Sequence, residues 1–146
     1  MRTRKMRTLQ KTLALICCAL LAGIAPALAA VQKPDLVSQS FEITYSQDTG
    51  LYTLKVGIHN YGPGNAAPCT LKMVRWKPTT IAGRPGAMGT TSTHSVPSIS
   101  AYATYYVTIN LGGGDPEDDW ADFTVDSANV IDETNETNNT QRVYFW

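Results

Sequence analysis

Residues 41–59 read FEITYSQDTGLYTLKVGIH. Phe41, Ile43 and Tyr45 alternate with Glu42 and Thr44; after a break, Tyr52, Leu54, Val56 and Ile58 alternate with Thr53, Lys55, Gly57 and His59. A period of two sends successive side chains to opposite faces of an extended chain, so each run fits a strand with one dry and one wet face. Asp48-Thr49-Gly50 separates the runs with turn chemistry, and the two strands should pair as a hairpin.

The same period recurs downstream. Cys69, Leu71 and Met73 alternate with Thr70 and Lys72; Tyr105, Val107, Ile109 and Leu111 with Tyr106, Thr108 and Asn110; Ala121, Phe123 and Val125 with Asp122, Thr124 and Asp126. Tyr61-Gly62-Pro63-Gly64-Asn65 and Gly112-Gly113-Gly114-Asp115-Pro116 punctuate the runs. No window after the N-terminal segment has a helical period. Seven strands are expected, near 35–46, 50–60, 68–77, 90–98, 101–111, 119–127 and 140–146, in an all-β, antiparallel sandwich. Pro78–Gly89, rich in Gly, Pro and Thr, is expected to be a long loop.

Ahead of the strands lies a different kind of sequence. Arg2, Arg4, Lys5, Arg7 and Lys11 precede the apolar stretch LALICCALLAGIA at 13–25, and Pro26 leads to Ala27-Leu28-Ala29. A basic start, an apolar middle and small residues at the end describe a secretory signal peptide, with cleavage expected after Ala29. The apolar stretch is shorter than the roughly 20 residues a membrane-spanning helix needs. The expected organisation is a leader at 1–29, a linker at 30–34 and one sandwich domain at 35–146. No later stretch is apolar enough to span a bilayer, so an integral membrane protein is not expected, and the location should be secreted, periplasmic or at the cell surface.

Without the leader, seven basic residues face all twelve acids, a net charge of −5. That balance argues against nucleic acid or an anionic membrane as partner. Cys69 is the one cysteine left, so no intramolecular disulfide forms. It is either a small buried hydrophobe or a bridge to a second copy in a homodimer.

Nine of the acids fall between Asp115 and Glu136, and Val130–Thr140 reads VIDETNETNNT. Asn and Asp side chains accept hydrogen bonds from backbone two residues on, so Asn135, Asn138 and Asn139 suit a structured turn before the last strand. Calcium is the sharper alternative, with Asp132, Glu133, Glu136 and Asn138 offering oxygen ligands. Plain solvated acidity is a third. The loop Asp115-Pro116-Glu117-Asp118-Asp119 reads as a flexible connection ahead of Trp120.

Catalytic chemistry finds few candidates. Cys69 belongs to the core-facing set of its strand and His59 to the outward set, so the two do not make a dyad. Two histidines and one cysteine give no zinc spacing. The expectation is a protein that is not an enzyme and holds no cofactor beyond a possible calcium ion. Trp120 is assigned to core packing, since one tryptophan between sheets is usual in sandwiches. Trp76 sits opposite Cys69, Leu71 and Met73; with Tyr144 and Trp146 it is open to either core packing or a sugar- or partner-binding platform.

Several of these pieces together resemble a known family. Pro34-Asp35-Leu36 opens the first strand, and Val56-Gly57-Ile58-His59-Asn60-Tyr61-Gly62 closes the second. Asn65-Ala66-Ala67 precedes the third, and Val125-Asp126 is followed by Ile131–Asn139 in the form I-x-E-x-N-E-x-N-N. This pattern resembles CARDB, the cell-adhesion-related domain found in bacteria, over most of 33–143. Where that family usually carries a Leu-x-Pro-Gly turn, Val96–Tyr102 stands instead. The resemblance implies an immunoglobulin-like or fibronectin-III-like sandwich that binds a protein or glycan at the surface or in the periplasm. A second possibility is an accessory protein completed by a partner's strand or by a second copy.

Overall fold

The hairpin expected from residues 41–59 forms the greater part of the smaller of two sheets. The computed structural model describes residues 30–81 and 84–145, so the expected leader and Trp146 lie outside the described residues. The strands are β1 Leu36–Ser46, β2 Leu51–Asn60, β3 Cys69–Ile81, β4 Arg84–Val96, β5 Thr104–Gly112, β6 Trp120–Thr124 and β7 Thr140–Tyr144. They make an immunoglobulin-like sandwich of a three-stranded sheet, β1-β2-β5, and a four-stranded sheet, β4-β3-β6-β7, with every paired neighbour antiparallel. No helix occurs among the described residues.

The core fills the space between the sheets. Leu54, Val56 and Ile58 of β2 meet Leu71 of β3 and Phe123 of β6, all fully buried. The Phe41 ring packs on Phe123 at 4.9 Å between centroids and joins the two layers. Each such side chain contributes about 1.5–3 kcal/mol by leaving water.

β1 keeps both its halves on this core by a device the alternation alone does not show. Leu36 and Ser38 face inward at even positions, while Phe41 and Ile43 face inward at odd ones. The phase changes at Ser40, whose φ of 58° sits where the pairing with β2 slips by one residue. One extra residue in one strand of a pair reverses which side chains point in. Tyr45, at the far end of the same run, is half exposed and leans on Tyr52, 4.7 Å away.

The expected Pro78–Gly89 loop is instead a continuation of β3 and β4. The register runs unbroken from Trp76↔Gly89 through Lys77↔Met88 and Pro78↔Ala87 to Ile81↔Arg84. β6 pairs with β3 only over Lys72–Trp76, so past that point the ribbon has two strands. Thr79 and Thr80 favour extended backbone. The missing N–H groups of Pro78 and Pro85 are tolerated where a strand side has no neighbour. Lys33 and Pro34, expected in a linker, are held: Gly64 N donates to Lys33 O at 3.1 Å and Thr134 N to Pro34 O at 2.8 Å.

Candidate functional site

Strand parity sorts the four-stranded sheet into two faces. On β6, Ala121 and Phe123 point in, so Trp120, Asp122 and Thr124 point out. Trp120 therefore lies on the outer face, not in the core as the sequence had suggested. Trp76 on β3 is its direct partner across the sheet, and Tyr144 on β7 is its partner on the other side. The Trp76 and Trp120 rings are 15° from parallel with centroids 6.4 Å apart; Trp120 and Tyr144 are again 6.4 Å apart at 35°. The two tryptophans are half-buried and Tyr144 is 52% exposed.

The row continues to the sheet edge without a side chain. Gly89 on β4 is opposite Trp76, and a Cβ there would come within 2.8 Å of the indole. The missing side chain is the space in which the Trp76 ring lies.

Next to the rings runs a row, Thr91, Val74, Asp122 and Arg142, that is polar but for Val74. Arg142 grips Asp122 with both ends of its guanidinium, Nε to Oδ1 at 2.6 Å and Nη2 to Oδ2 at 2.8 Å. Trp76 Nε1 donates to the same carboxylate at 3.2 Å, which fixes the indole's orientation. The Arg142 hydrogen bonds hold the Asp122 carboxyl below its ordinary pKa, against a smaller opposing effect of burial. A third row, Thr93, Lys72, Thr124 and Thr140, adds hydroxyls and one ammonium.

The opposite face of β3 holds a charge that the sequence reading missed. Arg75 is 5% exposed and pairs with Asp119, 4% exposed. Its Nε donates to Asp119 Oδ2 at 2.6 Å and its Nη1 to Leu111 O at 2.6 Å. Asp119 thus anchors the acidic 115–119 loop, and the position of Arg75, two after Met73, was the only signal for it.

The Val130–Thr140 loop turns inward. Glu133 is 4% exposed; its Oε2 accepts from Leu36 N at 2.5 Å and its Oε1 from Asn139 Nδ2 at 2.9 Å. Burial pushes its carboxyl up to about 7, despite those two donors, with the Glu136 and Asp126 charges adding to the rise. Asp126, also buried and at φ 45°, accepts from Val130 N and Ile131 N at 3.2 and 2.9 Å. Asn135 Oδ1 accepts from Thr137 N at 3.1 Å, and Asn138 Nδ2 donates to Asp35 Oδ1 at 2.8 Å.

Asn60, on the other side of this end, is fully buried and works as a hub. Its Oδ1 accepts from Asp35 N and Gly62 N, both at 3.0 Å. Its Nδ2 donates to Gly64 O at 2.8 Å and also reaches Ile99 O and Ser100 O. In the sequence, only its place between a strand and a Gly-Pro-Gly turn marks it for this role.

The four oxygen donors considered for calcium do not share a site. Asp132 points to Lys33 Nζ at 2.6 Å, Glu133 to Leu36 N, Glu136 Oε1 to Glu133 N at 2.8 Å, and Asn138 to Asp35. Among the described residues no three His, Cys, Asp or Glu side chains group as a metal site. Cys69 is buried, and burial pushes its thiol up to about 11, so little thiolate exists at neutral pH and bridging would require the start of β3 to open. His59 is elsewhere, with Nδ1 2.8 Å from Thr104 Oγ1. A Ser92–His94 contact at 2.9 Å lines a cleft of about 380 Å³ between β4 and β5, with no carboxylate hydrogen-bonded to His94 among the described residues.

Comparison with known proteins fits this arrangement. The family model CARDB matches residues 33–143. Among solved structures, the chain is similar to the crystal structure of the CARDB domain of the PF1109 protein from Pyrococcus furiosus, solved in complex with di-metal ions. The identity is 20%, with 80% of this chain and 96% of that one covered and a TM-score of 0.50. A solution NMR structure of the same domain gives 18% identity over 78% of this chain and 96% of that one, again at 0.50. No curated protein matches. No helix among the described residues is long and apolar enough to cross a membrane. The buried hydrogen-bonding residues at the loop end, Asn60, Asp126, Glu133 and Asn139, are those of the motifs that the match spans, and the chain belongs to CARDB, an adhesion-related family of immunoglobulin-like modules.

Proposed function

We propose that the chain is an exported, non-enzymatic binding module that holds a protein or glycan at the bacterial surface or in the periplasm. The observation that carries this reading is the aromatic row Trp76–Trp120–Tyr144 on an outer sheet face. Large rings contribute most to stability when buried, and three in register facing water point to an interaction. The catalytic alternatives lack parts: the Cys69 thiol is buried with its pKa pushed up, and the Ser92–His94 pair has no orienting carboxylate among the described residues. The loop end serves the fold, because its acids are engaged by the protein's own N–H groups and Lys33. The Pyrococcus domain was solved with di-metal ions; among the described residues here no three His, Cys, Asp or Glu side chains group to hold one.

A second reading, an accessory protein completed by a partner's strand, draws on β4. Gly86 to Val96 is an edge with no charged side chain to repel pairing, His94 being its one titratable group. The test expresses the full chain in a bacterial host and follows both location and binding. Export should yield a protein beginning at Ala30 in the periplasm or medium, and the immobilised protein should retain envelope material that Trp120→Ala does not. Full-length protein confined to the cytoplasm, or retention that ignores Trp120, would contradict it.

A further inference from the structure

The outer face of the four-stranded sheet fits one chemical class better than others. Building on the binding-module reading, we infer that this face is a carbohydrate site for an uncharged polysaccharide, whose sugar rings lie against Trp76, Trp120 and Tyr144 while hydroxyls meet the polar row alongside.

Three features lead there. The first is the pairing of flat apolar faces with hydrogen-bonding groups at strand-to-strand spacing. A pyranose has an apolar C–H face and a rim of hydroxyls, so it needs both. Asp122 offers acceptor oxygens and Arg142 donors within one register step of the rings, and Thr91 and Thr124 add hydroxyls.

The second is charge. The protein without its expected leader carries −5, yet on this face Asp122 and Arg142 neutralise each other in a two-pronged pair, and Lys72 is the one remaining charge of the three rows. A near-neutral patch on an acidic protein complements a neutral ligand rather than a charged one.

The third is area. An aromatic side chain covers about 150–250 Å² when fully buried, so two largely buried tryptophans and a half-exposed tyrosine offer at most about 300 Å², against roughly 800 Å² per partner in a stable protein interface. A single sugar chain needs no more than a row.

Two details show that the row is held in place. The Asp122 carboxylate fixes the Trp76 indole through Nε1, and Gly89 leaves the space the ring occupies. An ordered platform loses less side-chain entropy on binding.

The experiment is affinity gel electrophoresis of the exported protein in gels containing xylan, laminarin or dextran. In parallel, the immobilised protein is offered envelope material treated with protease or with periodate. Expected are retardation by at least one neutral glycan, retention that survives protease but not periodate, and at least a tenfold affinity loss in Trp120→Ala and Tyr144→Ala. Each variant is first shown to melt cooperatively. Tyr144 is at the exposed end of the row, so its variant keeps the test sound if Trp120→Ala does not fold. Retention abolished by protease alone would overturn the carbohydrate inference and leave the binding module standing. No retention of any material would overturn both. Glycan binding unchanged in both variants would overturn the assignment to this face.

Discussion

The loop end of the sandwich and the outer face of its four-stranded sheet make opposite use of their side chains. At the loop end, Asn60, Asp126, Glu133 and Asn139 are buried polar groups aimed at backbone and at one another. On the sheet face, Trp76, Trp120 and Tyr144 are large aromatic groups turned toward water. The first arrangement reverses the ordinary preference of its residues. Buried polar groups are tolerated when hydrogen-bonded and then help to fix one geometry, whereas half-buried aromatics keep part of their faces free of the core. On the proposed reading, the family's recognisable residues define how the module closes, and the face they do not touch is left for a ligand.

Substitutions should separate the two regions by size of effect. The largest losses belong to buried polar groups. Asp119→Ala leaves Arg75 charged and unpaired inside the sandwich and should cost about 3–5 kcal/mol in urea unfolding. Asn60→Ala strips partners from Asp35 N and Gly62 N together and should cost on the order of 3 kcal/mol in the same measurement. If Asn60→Ala unfolds like the parent, the loop end is not what closes the fold; if Asp119→Ala does, the buried pair at the opposite end of the sandwich is not needed for it.

Glu133 sharpens the comparison through pH. Its folded pKa, about 7, lies above the ordinary 4.5. The folded protein thus binds the proton more tightly than the unfolded chain. This contribution to stability is complete below about pH 4.5 and lost as pH rises through 7. Unfolding at pH 5.5 should therefore need more urea than at pH 8. Glu133→Gln should flatten that difference because an amide does not titrate in this range, and the fold should accept it, since the unpartnered Asn139 Oδ1 can take the new amide N–H once the Asn139 side chain turns over. An equal pH slope in the variant would remove Glu133 as its source.

The smallest effect on stability is expected on the sheet face. Trp120→Ala should cost about 1 kcal/mol, the scale of a cross-strand aromatic pair, while taking most of the binding. Gly89→Ala should shift the Trp76 fluorescence, because the added Cβ enters the space of its ring.

Much of the fold was legible from alternation. The hairpin at 41–59, the inward faces of β3 and β5 and the seven-strand count follow from period two and turn residues. What escaped has physical reasons. The Ser40 bulge changes phase without any change in composition. The β3–β4 ribbon is built from Gly, Pro and Thr, residues equally at home in loops, and register rather than burial makes it a ribbon. Trp120 was drawn to the core by its size, although Phe123, three residues on, fixes the parity that puts it outside. Arg75 was passed over because its charge argues against burial, and its partner Asp119 is 44 residues away. In VIDETNETNNT the Asn135 turn could be read locally, but the inward reach of Glu133 to Leu36 spans 97 residues and had no local sign.

The division of labour between the two regions is tested most directly by proton–nitrogen NMR of the exported protein titrated with a glycan that retards it. The account predicts shifts at the indole N–H signals of Trp76 and Trp120 and at the amides of Asp122 and Arg142, with Asn60, Glu133 and Asn139 unmoved. Shifts concentrated at the loop end, with both indole signals still, would contradict it.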